Sequence, residues 1–289
     1  RKAIAARDGV PEEYVLCGNG AADLIHRLCL ALRPKRVLTL APSFSEYERS
    51  ARLYGSEIAY HRLSEAESFA LTERVLDDIT PETGLLFLCN PNNPTGRLID
   101  ANLMGKIARR CSETGTLLLL DECFLPFTDG ASLLPLTERM PNLVLLRAFT
   151  KLYSMAGLRL GYIVCSGREL LKAVGEHAQC WSVSAVAQTA GLAALRCDGW
   201  EEKTRTLVSE EREYLSHALR ALGVTVYRSD CNYLLFRSEL PLYEPLLQKG
   251  VLIRRCENFE GLDVRFFRVG VKLRPQSEAL VRAISEVLH

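Results

Sequence analysis

Short apolar runs recur along the chain, each separated from the next by a longer stretch with helical spacing. Val37–Leu40, Leu85–Cys89, Leu117–Leu120, Leu143–Leu146 and Gly161–Cys165 are almost wholly apolar and strand-like. Between them, Ala21–Leu32, Ser43–Tyr54, Asp100–Thr114 and Gly167–Ala178 carry apolar residues at helical intervals. In the first of these, Leu24, Leu28, Ala31 and Leu32 fall on one face. Strands without polar alternation are buried on both faces, and strands joined by helices pair in parallel. The pattern therefore predicts an α/β fold with a mostly parallel sheet sandwiched by helices. Ligands of such sheets bind at the carboxyl ends of the strands, and the polar residues of greatest chemical interest directly follow the apolar runs.

From about Ser182 the pattern changes. Helical stretches at Ser184–Cys197 and Gly199–Leu222 lead to strand-like Val224–Tyr227, Tyr233–Arg237, Val251–Arg254 and Phe266–Val269, and a final helix follows Pro275. This predicts a smaller α+β domain over 182–289, entered through a connecting helix, beside a larger domain over 1–181. A length of 289 residues fits two lobes.

Composition narrows the partners. Hydrophobic residues make up 48% and charged residues 25%, with a formal net charge of +1 and no Lys/Arg block, so nucleic acid is not expected as a partner. The apolar runs fall far short of the ~18 residues that cross a bilayer, so no membrane partner is expected either. The ten cysteines contain no C-x-x-C pair. Reduced, buried thiols in a cytoplasmic protein are expected, and the five histidines show no ligand-like spacing, so no metal is expected.

Candidate chemistry clusters after the strands. Lys151 follows the Leu143–Leu146 run, and Arg159 stands eight positions later, beyond the small-residue turn Ser154-Met155-Ala156-Gly157. An amine that can bond a carbonyl, beside a guanidinium that can grip a phosphate, is what a pyridoxal-phosphate (PLP) site requires; a solvated surface lysine is the alternative. Cys89–Gly96 reads CNPNNPTG, a forced turn in which Asn93 can offer its amide at the end of a strand. Asp121 closes the four-leucine run of LLLLDECF, where a carboxylate is costly unless paired or used. It reads as the partner of a protonated pyridine nitrogen or as a simple cap. Cys17–Asp23 reads CGNGAAD, so Gly20, Ala21 and Ala22 open either an ordinary helix or an anion-binding one. Phe44 is a stacking residue or core. Arg254 and Arg268 lie on otherwise apolar strands and call for a carboxylate or phosphate partner, internal or bound.

In this order the motifs resemble the fold-type I PLP enzymes of the aminotransferase class I/II family, over essentially the whole chain. The resemblance implies that PLP is the cofactor, held covalently by Lys151, which also carries protons. It implies Asp121 as the pyridinium partner, Asn93 as donor to the ring 3′-oxygen, and Phe44 stacked on the ring. Arg159 with Gly20, Ala21 and Ala22 would form the phosphate cup, and Arg268 would receive the substrate carboxylate. Two branches of the family take phosphorylated amino-acid-like substrates, threonine-phosphate decarboxylases of cobalamin biosynthesis and histidinol-phosphate aminotransferases, and Arg254 suits the second anion. The stretches PSFSEYERSA, DECF and IRRCENFEGL lean toward the decarboxylases. Phe124 stands where aminotransferases of the family usually carry a tyrosine that donates to the 3′-oxygen.

The activity this implies is conversion of L-threonine O-3-phosphate to (R)-1-aminopropan-2-yl phosphate, by a cytoplasmic homodimer. A histidinol-phosphate-type aminotransferase using a keto acid is the alternative, and a catalytically incomplete fragment is a third reading. Two departures from the family bear on these. Ala148 replaces a phosphate-contacting serine, and the N-terminal arm that helps close the substrate site is expected to be missing, since Arg1-Lys2-Ala3-Ile4 reads as mid-helix.

Overall fold

The computed structural model describes residues 1–288. Seven strands make the main sheet: β1 (Val15–Gly18), β2 (Arg36–Ala41), β3 (Glu57–Arg62), β4 (Leu85–Cys89), β5 (Leu117–Asp121), β6 (Leu143–Ala148) and β7 (Gly161–Val164). They lie in the order β1-β7-β6-β5-β4-β2-β3, with β5 at the centre. Only β7 runs against the others. The physical reason is its connection. Residues 149–160 contain turns but no helix, and a parallel return needs a crossover that a helix usually supplies.

Strand alternation builds two cores. On one face Phe87, Leu119, Val144 and Ile163 pack against α2 (Ala21–Leu32), α3 (Glu46–Leu53) and, further on in the chain, the helix Arg168–Glu176. On the other, Leu86, Leu118, Leu120 and Leu145 meet α1 (Lys2–Asp8), the short α4 (Val75–Asp78) and α5 (Ala101–Thr114). Each fully buried leucine contributes about 1.5–3 kcal/mol. The edge strands β1 and β3 escape the apolar-run pattern because they are only partly covered; β3 begins and ends on exposed charged residues.

After the Arg168–Glu176 helix (α6), α7 (Ala185–Ala194) and α8 (Trp200–Ala221) lead into a second, antiparallel sheet. Its strands are β8 (Thr225–Val226), β9 (Tyr233–Arg237), β10 (Arg254–Arg255) and β11 (Phe266–Gly270), in the order β10-β11-β9-β8. Helices α9 (Tyr243–Gln248) and α10 (Arg274–Leu288) complete the chain. Val251–Ile253, expected as strand, lies outside β10, which begins only at Arg254. One face of this sheet buries Phe236 and Phe267 against α8 and α10, while Leu235 and Phe266 join the core of the main sheet. Polar bonds also tie the two parts: Tyr233 Oη donates to Asn92 O at 3.0 Å, and Asp230 N–H to Gly96 O at 2.8 Å.

The acidic pair after β5 is divided by the same alternation. Glu122 turns away from Asp121 and accepts from Arg147 Nη2 at 2.8 Å, from Ser132 Oγ at 2.7 Å and from Leu133 N–H at 3.0 Å. Arg147 also meets Asp8 at 3.2 Å, and Tyr162 Oη donates to the same carboxylate at 2.9 Å. Burial works against the Arg147 charge, but Glu122, Tyr162 and Asp8 outweigh it and hold the guanidinium above the ordinary arginine range. Removing one partner of a buried pair strands the other. Arg147→Met is therefore expected to cost about 3–5 kcal/mol of stability in urea unfolding, with part of the loss recovered by adding Glu122→Gln.

Candidate active site

Asp121 ends the central strand and is 5% exposed. Its Oδ1 accepts from Cys123 N–H at 2.9 Å and its Oδ2 from Tyr47 Oη at 2.6 Å. Burial raises its carboxyl above the ordinary value; the bonds from Cys123 and Tyr47 and the charge of Lys151 oppose the rise. Tyr47 is fully buried, and burial followed by the Asp121 charge pushes its phenol well above its usual range, so it remains a donor. Its ring lies parallel to Phe87 at 4.9 Å and takes the edge of Phe44 at 5.5 Å. Phe44, expected near the start of a helix, sits two residues ahead of α3.

Lys151 and Arg159 lie in the turns between β6 and β7. Arg159 has a left-handed φ of 60° and donates to Ala156 O at 3.0 Å. Its guanidinium lies against Gly20, where any Cβ would overlap it. Gly161 of β7 meets the same corner: a Cβ there would stand 2.7 Å from Ala21 N and 2.8 Å from Gly20 C. Gly20 caps α2 without a side-chain hydrogen bond, so the first-turn N–H groups remain open. A guanidinium facing the open positive end of a helix, with side chains excluded, fits a phosphate. Ala148 pairs with Gly161 in register and so flanks this cup without a hydroxyl.

A cleft of about 670 Å³ opens beside Lys151. Phe124 lines it with its ring centre 5.5 Å from Lys151 Nζ, and Tyr233 supports Phe124 edge-on at 5.0 Å. The Arg268 guanidinium lies 5.0 Å from the same Tyr233 ring and bonds the amide oxygen of Asn93, which leaves the Asn93 NH₂ free to donate. Arg254 stands opposite Arg268 in register across β10 and β11, so both project from one face. It also donates to Asn258 Oδ1 at 2.7 Å. Among the described residues, no carboxylate lines this cleft.

The predicted residues thus fall into three adjoining groups. Phe124, Lys151, Arg254 and Arg268 line the cleft, with Asn93 bonded to its wall. Asp121 lies buried at the end of the central strand. Gly20, Ala21 and Arg159 form the corner at α2, with Ala22 in the first turn. Phe44 stands against Tyr47 and is not part of the cleft wall. Tyr47 and Tyr233 were not singled out from the sequence, because a tyrosine among apolar neighbours looks like core; the signal was a phenol that needs a partner when buried. An acceptor for a ring nitrogen, an exposed amine and an anion cup fit PLP. Eight of the ten cysteines are buried or half-buried as expected, whereas Cys180 and Cys197 are exposed.

The sequence model of the family described as aminotransferase class I and II matches residues 1–284. A threonine-phosphate decarboxylase of Salmonella typhimurium is 38% identical over 99% of this chain and 80% of its own length. The crystal structure of histidinol-phosphate aminotransferase from Clostridium acetobutylicum superposes with a TM-score of 0.92 at 26% identity, covering 99% of this chain and 87% of that one. That of L-threonine-O-3-phosphate decarboxylase from Porphyromonas gingivalis gives 0.87 at 27% identity, with the same coverage. Enzymes of this family depend on PLP, and PLP is the cofactor here.

Two outcomes test the site. Gly161→Ala pushes a methyl into the backbone of the phosphate corner and should weaken PLP binding by about tenfold or more, whereas Ala148→Ser should tighten it by about tenfold through one added hydrogen bond to a charged group. Equilibrium titration with PLP measures both. For Asp121 the sign follows from its raised pKa. The folded, cofactor-free chain binds this proton more tightly than the unfolded one, so stability falls as pH rises from about 3.8 through the folded value. Asp121→Asn should flatten that decline in urea unfolding of the cofactor-free protein while weakening PLP binding.

Proposed function

Because the chain belongs to the aminotransferase class I and II family, we propose that it is a PLP-dependent decarboxylase of L-threonine O-3-phosphate, yielding (R)-1-aminopropan-2-yl phosphate. The observation that carries this reading is the pair Arg254 and Arg268, opposite each other in a cleft that no carboxylate of the described residues lines. Like charges placed directly opposite are unfavourable unless something anionic shares them. A substrate with a carboxylate at one end and a phosphate near the other supplies two anions at once.

When bound, the cofactor supplies a cationic ring that draws electrons from whichever Cα bond stands perpendicular to its plane. In the proposed roles, Asp121 keeps the proton on the ring nitrogen, with its carboxylate oriented by Tyr47 and Cys123. Asn93 donates to the ring 3′-oxygen. Phe124 offers no hydroxyl there, so Asn93 acts without the second donor that a tyrosine would provide. Gly20, Ala21, Ala22 and Arg159 hold the cofactor phosphate. Arg268 grips the substrate carboxylate and Arg254 the substrate phosphate, and together they set which Cα bond is perpendicular. Holding the carboxylate in that position would favour its loss as CO₂. Lys151, which would hold the cofactor between turnovers, is the group that would return a proton to Cα. A homodimer in the cytoplasm, built from a large domain over 1–181 and a small one over 182–289, belongs to the same reading.

The test supplies L-threonine O-3-phosphate to the PLP-loaded protein with no keto acid. Catalytic CO₂ release is expected, and it should vanish in Lys151→Ala together with the visible absorbance of bound cofactor. Arg268→Gln should raise KM by about tenfold or more by removing a charge-assisted contact. Turnover seen only with histidinol phosphate and 2-oxoglutarate would overturn the decarboxylase in favour of an aminotransferase.

A further inference from the structure

The cleft beside Lys151 holds a cation beyond its three arginines, Arg254, Arg255 and Arg268. Lys272 follows β11 by two residues and lines the same cleft. Its backbone is anchored on both sides: Val271 N–H donates to Asn232 O at 2.8 Å, and Ser277 Oγ donates to Lys272 O at 3.4 Å. Its stem runs beside Gly270, where a Cβ would come within 3.9 Å of Lys272 Cε. Gly270 lies two residues after Arg268 and so shares its face of β11, the face on which Arg254 stands in register. The Lys272 stem is therefore laid along the row that carries both arginines.

The arginines of the cleft already have polar partners. Arg268 is bonded to Asn93, Arg254 to Asn258, and Arg255 lies 3.3 Å from Glu257. Lys272 is exposed and forms no ion pair among the described residues, in contrast to Lys106 and Lys249, which reach Glu73 and Glu286 at 2.6 and 2.7 Å. Among the described residues, an ammonium without an ion pair, in a cleft lined by three guanidiniums and no acid, calls for an anion with more than one charge.

We propose that Lys272 determines specificity by sharing the substrate's phosphate with Arg254, which leaves Arg268 for the carboxylate. This rests on the reading of the cleft as the site of a phosphorylated amino acid. A phosphate monoester carries roughly −1.5 to −2 at neutral pH, more than one guanidinium neutralises. A carboxylate needs only one. Lys272 thus separates phosphorylated ligands from their unphosphorylated counterparts.

The experiment titrates the PLP-loaded protein spectroscopically with L-threonine O-3-phosphate, histidinol phosphate and L-threonine. Lys272→Met keeps the stem, Lys272→Arg keeps the charge, and Lys106→Met controls for net charge. Lys272→Met should weaken the phosphorylated ligands by about tenfold or more while leaving L-threonine within about twofold, with Lys272→Arg restoring affinity and Lys106→Met without effect. Unchanged affinity for phosphorylated ligands in Lys272→Met would overturn the proposal, as would an equal loss for L-threonine. If the unaltered protein binds histidinol phosphate but not L-threonine O-3-phosphate, the decarboxylase reading falls while Lys272 is judged on histidinol phosphate. Binding of neither phosphorylated ligand would overturn both.

Discussion

A carboxylate buried at the end of the central strand sets the terms for the rest of this molecule. Removing a charge from water costs several kcal/mol unless donors and an opposite charge replace the solvent. Asp121 receives one donor on each oxygen, from Tyr47 and from the Cys123 backbone, yet its carboxyl still sits above its ordinary value. In the proposed role of Asp121, a cationic ring nitrogen would offset the remaining deficit. On that proposal, cofactor affinity and the cost of burying this carboxyl without cofactor would have one origin, an arrangement common where a site is organised ahead of its ligand.

The surroundings of Asp121 follow from strand geometry. Successive residues point to opposite faces, so Asp121 faces Tyr47 while Glu122 faces Arg147 and Asp8. One acidic dipeptide therefore serves both the site and the framework. Next door, the reversal of β7 replaces a crossover helix with the turns that carry Lys151 and Arg159, and it brings Gly161 against the first turn of α2. The second sheet then closes the site from the other side. Tyr233 bonds the Asn92 carbonyl and supports Phe124 and Arg268, so one buried phenol ties the cleft wall to the main sheet.

Much of this was legible in the chain itself. Leu85–Cys89, Tyr233–Arg237 and Ala21–Leu32 form elements with the predicted bounds, because unbroken apolar runs and clean helical spacing have few other ways to be buried. The edge strands β1 and β3 were not legible. A half-covered strand tolerates charges and has no periodicity to betray it. Likewise the Arg254–Arg268 pairing depends on hydrogen-bond register between positions 14 apart in the chain, which no local pattern encodes.

The sequence by itself determined the class of architecture, the family and the chemical types available: an amine, a strand-end carboxylate, an amide in a proline-bounded turn and several guanidiniums. These follow from local spacing and composition, which burial and turn chemistry constrain strongly. Only the tertiary structure decided the company each group keeps. It set Tyr47 on Asp121, Arg268 on Asn93, Arg254 beside Arg268, and Lys272 along the same row. Such partnerships join residues far apart in the chain. They are fixed by register and by the packing of one sheet on another, which only the whole fold specifies.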